Sequence, residues 1–437
     1  MSLKYTTLCL ALIAPFSVHA ATDQQTDREL AEMRAQIKQL QQQAADAKLT
    51  APSPTAGGLN SPARTTSGEG AYNPAISLIL SGTYSQLDQD TAVPVTGFAM
   101  SGNDAGYTPG FSLKESELGI AANIDSQFRG VATIALNADG GLAVENAFVQ
   151  TLSLGDGLNF KMGRFFSGLG YLNEQHAHSW DFVDQPLVYR TLWDNQLGED
   201  GVQLKWLAPT DMFVEVGGEL GRGRGFPGSD RPRKNGAGSG VIFAHIGDDV
   251  DVSSSWRAGI SLHQTRRENA VSTVNSIGNR FSGDSKTAGL DFIWKYAPNG
   301  NVKETNFKLM GEYFRRKESG QLTYDVATTN TTDRYAVTQS GWYLQGVYQF
   351  MPRWRAGLRY DSLDSGMAQV GALNSANVIS NYGYTPTRAT LMLDYTPSEF
   401  SRLRLQIAQD RSRQNLTDTQ LFLQYVMSLG AHGGHQF

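Results

Sequence analysis

The feature that most limits this chain is a period-two alternation of apolar and polar residues running from Asn73 almost to the end. In the first segment Ile76, Leu78, Leu80 and Tyr84 share one parity, and Ser77, Ser81, Thr83 and Ser85 take the other. Leu118, Ile120, Ala122 and Ile124 repeat the pattern, as do Phe128, Ala132, Ile134 and Leu136 against Arg129 and Thr133. Further segments fall near 144–154, 158–165, 200–207, 212–220, 241–247, 253–264, 286–296, 305–316, 341–350, 354–361, 387–395, 400–410 and 419–429, sixteen in all. Alternation marks strands with unlike faces, but a soluble sandwich alternates too. The connections decide. Those at 86–110, 166–199, 221–239, 265–285, 317–340 and 362–385 are long and polar. Those at 125–127, 155–157, 208–211, 248–251, 297–300, 351–353 and 396–399 are short. One rim of tight turns and one of long loops is the pattern of an outer-membrane barrel. The expected fold is therefore all-β, a transmembrane antiparallel β-barrel of about sixteen strands. Closure satisfies every backbone amide in hydrocarbon, and sixteen strands predict a water-filled lumen.

Aromatic placement agrees. Trp206, Trp256, Trp294, Tyr296, Trp342, Tyr348, Phe350, Trp354, Tyr360 and Tyr395 sit on the apolar parity, mostly near strand ends, where rings form an interfacial girdle. The last segment, Leu421, Leu423, Tyr425, Met427 and Leu429, stops at Phe437. Composition removes the competitors. Asp plus Glu (42) exceed Lys plus Arg (37), which disfavours a nucleic-acid partner. No apolar run of 18 residues follows the first twenty, so a helical membrane bundle is excluded.

Residues 1–20 read as a signal peptide: Lys4, an apolar stretch from Leu8, then Val18-His19-Ala20 before the cleavage site. The only cysteine, Cys9, lies inside it, so the mature chain is expected to have neither disulfide nor thiolate. Thr26-Asp27-Arg28-Glu29 forms a capping box. Behind it Leu30, Met33, Ile37 and Leu40 set a heptad seam, which predicts a periplasmic self-association helix over 21–48. Residues 49–71, with Pro52, Pro54 and Pro62 among glycines, read as a flexible linker to the barrel at 72–437.

The faces predict a lumen lined by twelve bases and nine acids. Arg355, Arg359, Arg388, Arg402 and Arg404 come from three consecutive strands and would form a positive stripe, unless Asp361, Asp394 and Asp410 pair with them. An outer basic loop carries Arg222, Arg224, Arg231, Arg233 and Lys234, suited to anions or lipopolysaccharide phosphates. His176-x-His178 and His432-x-x-His435 could each offer two imidazoles to zinc, as two separate sites completed by Glu174, Asp181 or water. A hydrocarbon core of about 25–30 Å lies between the two pairs. No cofactor is otherwise implied. No Gly-x-Ser-x-Gly, Walker Gly-Lys-Ser/Thr or His-Glu-x-x-His motif occurs, which argues against an enzyme.

Signal peptide, short coil, linker and sixteen segments together resemble the trimeric porins of the phosphate-selective type and their coiled-coil-bearing relatives. The run Leu158-Asn159-Phe160-Lys161-Met162-Gly163-Arg164-Phe165-Phe166, followed by Gly168-Leu169-Gly170, is similar to that family's strand entering a Phe-Gly turn, with Ser167-Gly168 where relatives carry Pro. The stretch Tyr171 to Asp184 is similar to outer-membrane proteins labelled zinc-regulated. The resemblance implies a homotrimeric Gram-negative outer-membrane porin passing small polar, anionic solutes. It implies Phe437 as the signal read by the barrel-assembly machinery, and contact with outer-membrane lipid and lipopolysaccharide. By likeness to general porins, 166–199 would fold inward, with Trp180, Asp181, Asp184 and Arg190 at the constriction, or else form an external lid. The alternatives are a barrel-anchored adhesion protein and a zinc-linked uptake protein.

Overall fold

The computed structural model describes residues 73–89, 94–100, 107–113, 116–137, 140–152, 154–229, 235–274, 277–377 and 383–430. The expected signal peptide, the Leu30–Leu40 seam, the linker, Arg231, Arg233, Lys234, the His432/His435 pair and Phe437 all lie outside these residues.

Sixteen antiparallel strands form one closed sheet. They are β1 (Ala75–Leu87), β2 (Gly110–Leu113 and Ser116–Asn123), β3 (Phe128–Leu136), β4 (Leu142–Thr151), β5 (Leu158–Phe166) and β6 (Gly198–Leu207). Next come β7 (Phe213–Gly221), β8 (Ser239–Asp251), β9 (Ser254–Val274), β10 (Ile277–Tyr296) and β11 (Asn306–Tyr324). The wall ends with β12 (Thr331–Met351), β13 (Trp354–Asp364), β14 (Thr387–Ser398), β15 (Ser401–Arg411) and β16 (Asp418–Gly430). Each strand pairs with its sequence neighbours. Closure comes from β1 against β16, in register from Ser77↔Gly430 to Leu87↔Gln420. A short helix, α1 (Leu187–Trp193), stands between β5 and β6.

The apolar parity faces out: Ile76, Leu78, Leu80, Ile242, Ile260, Leu290, Leu358, Leu391 and Leu423 are exposed. A belt this continuous is tolerated only in lipid. Near the tight turns its indole N–H groups point to polar partners, Trp206 Nε1 to the Asp156 carbonyl at 3.1 Å and Trp294 Nε1 to Ser254 Oγ at 2.7 Å. Trp354 and Tyr395 pack on each other across β13 and β14, with centroids 4.7 Å apart. These rings mark one membrane interface.

Two of the expected long loops are not loops. The polar stretches 265–285 and 317–340 continue as paired strand, making β9 to β12 19–21 residues long. At ~3.3 Å per residue such a strand runs roughly 65–70 Å, about twice what crossing requires. Their outer halves carry polar residues on the outward parity, such as Gln264, Lys286, Arg315 and Lys317, because that part stands in water. Loss of the apolar face looks like loop in sequence, while the pairing persists, for example Lys286↔Lys317 and Ser319↔Ala336.

The expected water-filled lumen is corrected in part, because side chains fill some of it. The connection between β5 and β6 lies inside the barrel, and all seven residues of α1 are buried there. Leu169, Leu172, Leu187, Val188, Leu192, Trp193 and Leu197 pack on inward Val241, Phe243, Ile293, Met310, Phe314 and Tyr343 in one apolar cluster. Trp193 and Phe314 meet edge to face at 4.7 Å. Those inward apolar residues interrupt the polar parity where the segment docks.

Candidate functional site

Residues 167–197 enter the barrel at a closed neck. Asn173 Nδ2 donates to the carbonyls of Ser167 (2.8 Å) and Leu197 (3.0 Å), while its Oδ1 accepts from the Leu197 amide at 2.7 Å. Beyond the neck, Glu312 of β11 accepts four hydrogen bonds: Tyr171 N and Leu172 N, each at 3.1 Å, Tyr189 Oη at 2.8 Å and Tyr343 Oη at 2.6 Å. Gly170 precedes this anchor at φ +69°, and a Cβ there would collide with the Glu312 carboxylate. Glycine is required on both counts.

The five arginines expected to form an open stripe instead hold the segment. Arg404 Nη2 donates to the Trp180 carbonyl at 3.0 Å, and Arg402 Nη2 donates to the His178 carbonyl. Asp181 receives Arg355 at 3.4 Å and Lys308 at 2.6 Å. Asp184 Oδ1 receives Arg359 at 2.6 Å, and its Oδ2 receives Arg388 at 2.6 Å. The same arginines also meet wall carboxylates: Arg355 and Arg404 meet Asp394 at 2.5 and 2.7 Å, Arg359 meets Asp361 at 3.0 Å, and Arg388 meets Asp410 at 3.9 Å. Four of these guanidiniums thus pair with five carboxylates, while Arg402 holds a backbone carbonyl, and Arg359, Arg388 and Arg404 are buried. A buried charge needs such a partner. Burial alone would push the Asp184 carboxyl up, but Arg388 and Arg359 outweigh it and hold it well below the usual carboxylate range. Lys205 and Lys161 likewise override burial at Glu174 and bring it down to about 2. Arg190 stacks on Tyr107, whose hydroxyl donates to Asp184 Oδ2 at 2.5 Å.

Between this segment and the wall on the β4–β6 side lies a cavity of about 690 Å³, lined by Tyr107, Glu145, His178, Asp184, Arg190 and Asp200 among others. From the outer basic loop, Arg224 lies 3.5 Å from Asp200 at its edge. Charge on the inner wall is sorted by depth. Eight of the twelve expected bases, Arg129, Lys161, Lys205, Arg257, Lys295, Lys308, Arg355 and Arg402, are half-buried. They stand near the tight-turn ends of eight strands. Of the nine expected acids only Glu145 is not fully buried.

The histidines find partners that sequence reasoning did not name. Glu174 binds Lys205 (3.1 Å) and Asp181 is taken by Lys308, so neither completes a metal site. His176 Nδ1 instead lies 2.9 Å from Glu145 Oε2 and 3.3 Å from Glu117 Oε2, and His178 Nδ1 lies 2.8 Å from Glu117 Oε1. Glu312 was expected only as one of the lumen acids, not as an anchor, and Tyr107 was not named. An inward carboxylate ringed by tyrosines distant in sequence leaves no local pattern.

No protein-family model matches the chain. Among solved structures, OmpT of Vibrio cholerae lacking loop L8 superposes with a TM-score of 0.51 at 13% identity, over 82% of this chain and 100% of that one. The trimer form of in-vitro folded V. cholerae OmpT gives 0.50 at 12% identity, over the same shares. Both show the barrel fold. An uncharacterized protein of Aquifex aeolicus (strain VF5) is 30% identical over 398 residues, 84% of this chain and 80% of that protein. That identity over that length makes this sixteen-strand barrel, with its inward segment, a member of the same family as the Aquifex aeolicus protein.

Proposed function

We propose that the chain is a channel of the Gram-negative outer membrane for small polar solutes, with a preference for anions. The observation that carries this reading is the depth sorting of charge inside the barrel. Water entering from the tight-turn rim meets the half-buried cations, while their counter-charges sit beneath the surface. A cationic wall around a confined aqueous space concentrates anions and repels cations. The segment 167–197 is the constriction, with Trp180, Asp181, Asp184 and Arg190 on it, and its arginine cradle sets how far the path opens. Residues 1–20 direct export, and Phe437 is the mark read by the assembly machinery. The seam at Leu30, Met33, Ile37 and Leu40 supports a homotrimer, in keeping with the trimer form of V. cholerae OmpT. The outer basic loop, Arg222, Arg224, Arg231, Arg233 and Lys234, meets lipopolysaccharide phosphates or incoming anions.

The apolar cluster around α1 favours a second reading, a barrel serving as anchor for the long β9–β12 wall. Proteoliposome flux separates the two. A channel passes small anions faster than cations of equal size, and the reversal potential in a salt gradient takes the anion sign. An anchor leaves the vesicles as tight as lipid alone.

A further inference from the structure

We propose that His176, Glu117 and Glu145 form a site for a divalent transition ion of the zinc class, with His178 beside it on Glu117, fastening the inward segment to the barrel wall. Glu117 belongs to β2 and Glu145 to β4, while the imidazoles come from 167–197, so the site would bridge wall and constriction. One donor atom from each of Glu117, Glu145 and His176 falls within 4.8 Å of the others. His176 Nδ1 is 2.9 and 3.3 Å from its two carboxylate oxygens. Ligands held tetrahedrally at ~2.0 Å from zinc are about 3.3 Å apart, so an ion fits with only small movements. Nitrogen from imidazole and oxygen from carboxylate are donors zinc accepts.

Electrostatics points the same way. Glu117 and Glu145 bring two negative charges together in a site where the side chains of Glu117 and His176 are 3% and 6% exposed. Among the described residues, the ion-pair partners of these carboxylates are the two imidazoles. The other buried carboxylates of the segment, Asp181 and Asp184, each have arginines. A divalent ion would neutralise the pair. An outer-shell partner is at hand as well: Asn146 Nδ2 lies 2.8 Å from His176 Nε2, and with that amide turned over its Oδ1 would accept the Nε2–H of a ring ligating through Nδ1. The rings of His176 and His178 stack at 5.8 Å, and each Nδ1 lies against one oxygen of Glu117. Access is provided by the 690 Å³ cavity, whose lining includes Glu145 and His178.

The test uses the full chain in detergent, stripped with chelator and titrated with Zn²⁺ calorimetrically, with bound metal counted by mass spectrometry. One ion per barrel is expected. Affinity should fall about 100-fold or more in His176→Ala and in Glu117→Gln/Glu145→Gln, and about tenfold in His178→Ala. Heat-modifiable gel mobility establishes that each variant is folded. Should a variant fail to fold, Co²⁺ bound to the wild type supplies an independent reading. Visible d–d bands of a low-symmetry nitrogen and oxygen site that vanish on Zn²⁺ addition support the assignment. Absence of Zn²⁺ binding to the wild type, equal affinity in folded His176→Ala, or a Co²⁺ spectrum like that of the aquo ion would each overturn it.

Discussion

Replacing Asp184 with Asn would release the strongest tie between the inward segment and the wall. Its carboxylate meets Arg359 and Arg388, each at 2.6 Å, and Tyr107 at 2.5 Å. Without that charge Arg388 keeps, among the described residues, Asp410 at 3.9 Å as its ion-pair partner and Gln420 at 2.9 Å as hydrogen-bond acceptor. Arg388 is 1% exposed, so its charge stays in a dry site with its ion-pair partner at the edge of contact. Removing one partner of a buried pair costs about 3–5 kcal/mol. The loss falls on docking of the segment and not on strand pairing, which Asp184 does not touch. At ~1.4 kcal/mol per decade, local opening becomes about 10²–10³-fold more frequent. Hydrogen exchange read by mass spectrometry reports this directly. The amides of Val183 and Leu187, bonded to Gln406 at 2.8 Å and Asp361 at 2.9 Å, should exchange faster by that factor. Amides of β9 to β12 should keep their protection. Unchanged exchange at 183–187 in a folded Asp184→Asn barrel would refute the reasoning.

Glu312→Ala leaves two backbone amides and two tyrosine hydroxyls without their acceptor, at ~1–3 kcal/mol for each group left buried and unpaired. Protease cutting within 168–175 should speed up about tenfold or more, and an unchanged rate would count against the anchor. Gly170→Ala puts a Cβ on that carboxylate at positive φ and should cost about 1–3 kcal/mol, seen as the same loosening. Acid should leave the cradle intact until far below neutrality. Asp184 is depressed from its unfolded value near ~4, so its contribution is complete above that value and is lost only as pH falls through the lower folded one. Exchange of the Val183 amide, bonded to Gln406 and corrected for intrinsic rates, should stay flat from about pH 8 to 5, and a rise within that window would contradict the assignment. Lys161→Glu combined with Lys295→Glu places acids among the half-buried bases and should move the reversal potential toward cations, whereas no shift would remove the basis for anion preference.

Strand number and barrel class were legible because lipid imposes a rule on every second residue, and Ile76, Leu290 and Leu423 obey it. Strand length was not, since beyond the membrane both faces of β9 to β12 meet water and Lys286 or Lys317 looks the same in loop and strand. The arginines of β13 to β15 and the carboxylates at 181 and 184 were both visible as charged residues. Their meeting was not, because it depends on how deep 167–197 descends. Phe243 and Phe314 held the clue, as large apolar side chains on the parity that should face water. The two histidines stood out by spacing alone, but Glu117 and Glu145 join them only because 167–197 folds inward against β2 and β4.

Single-channel recording in a planar bilayer, comparing the intact chain with one in which residues 174–194 are replaced by a short Gly-Ser bridge, tests the central claim most directly. Small, stable steps from the intact barrel and several-fold larger ones from the shortened barrel are expected, both anion-preferring. Equal conductance in two correctly folded proteins, or no current from either, would contradict a channel narrowed by its own inward segment.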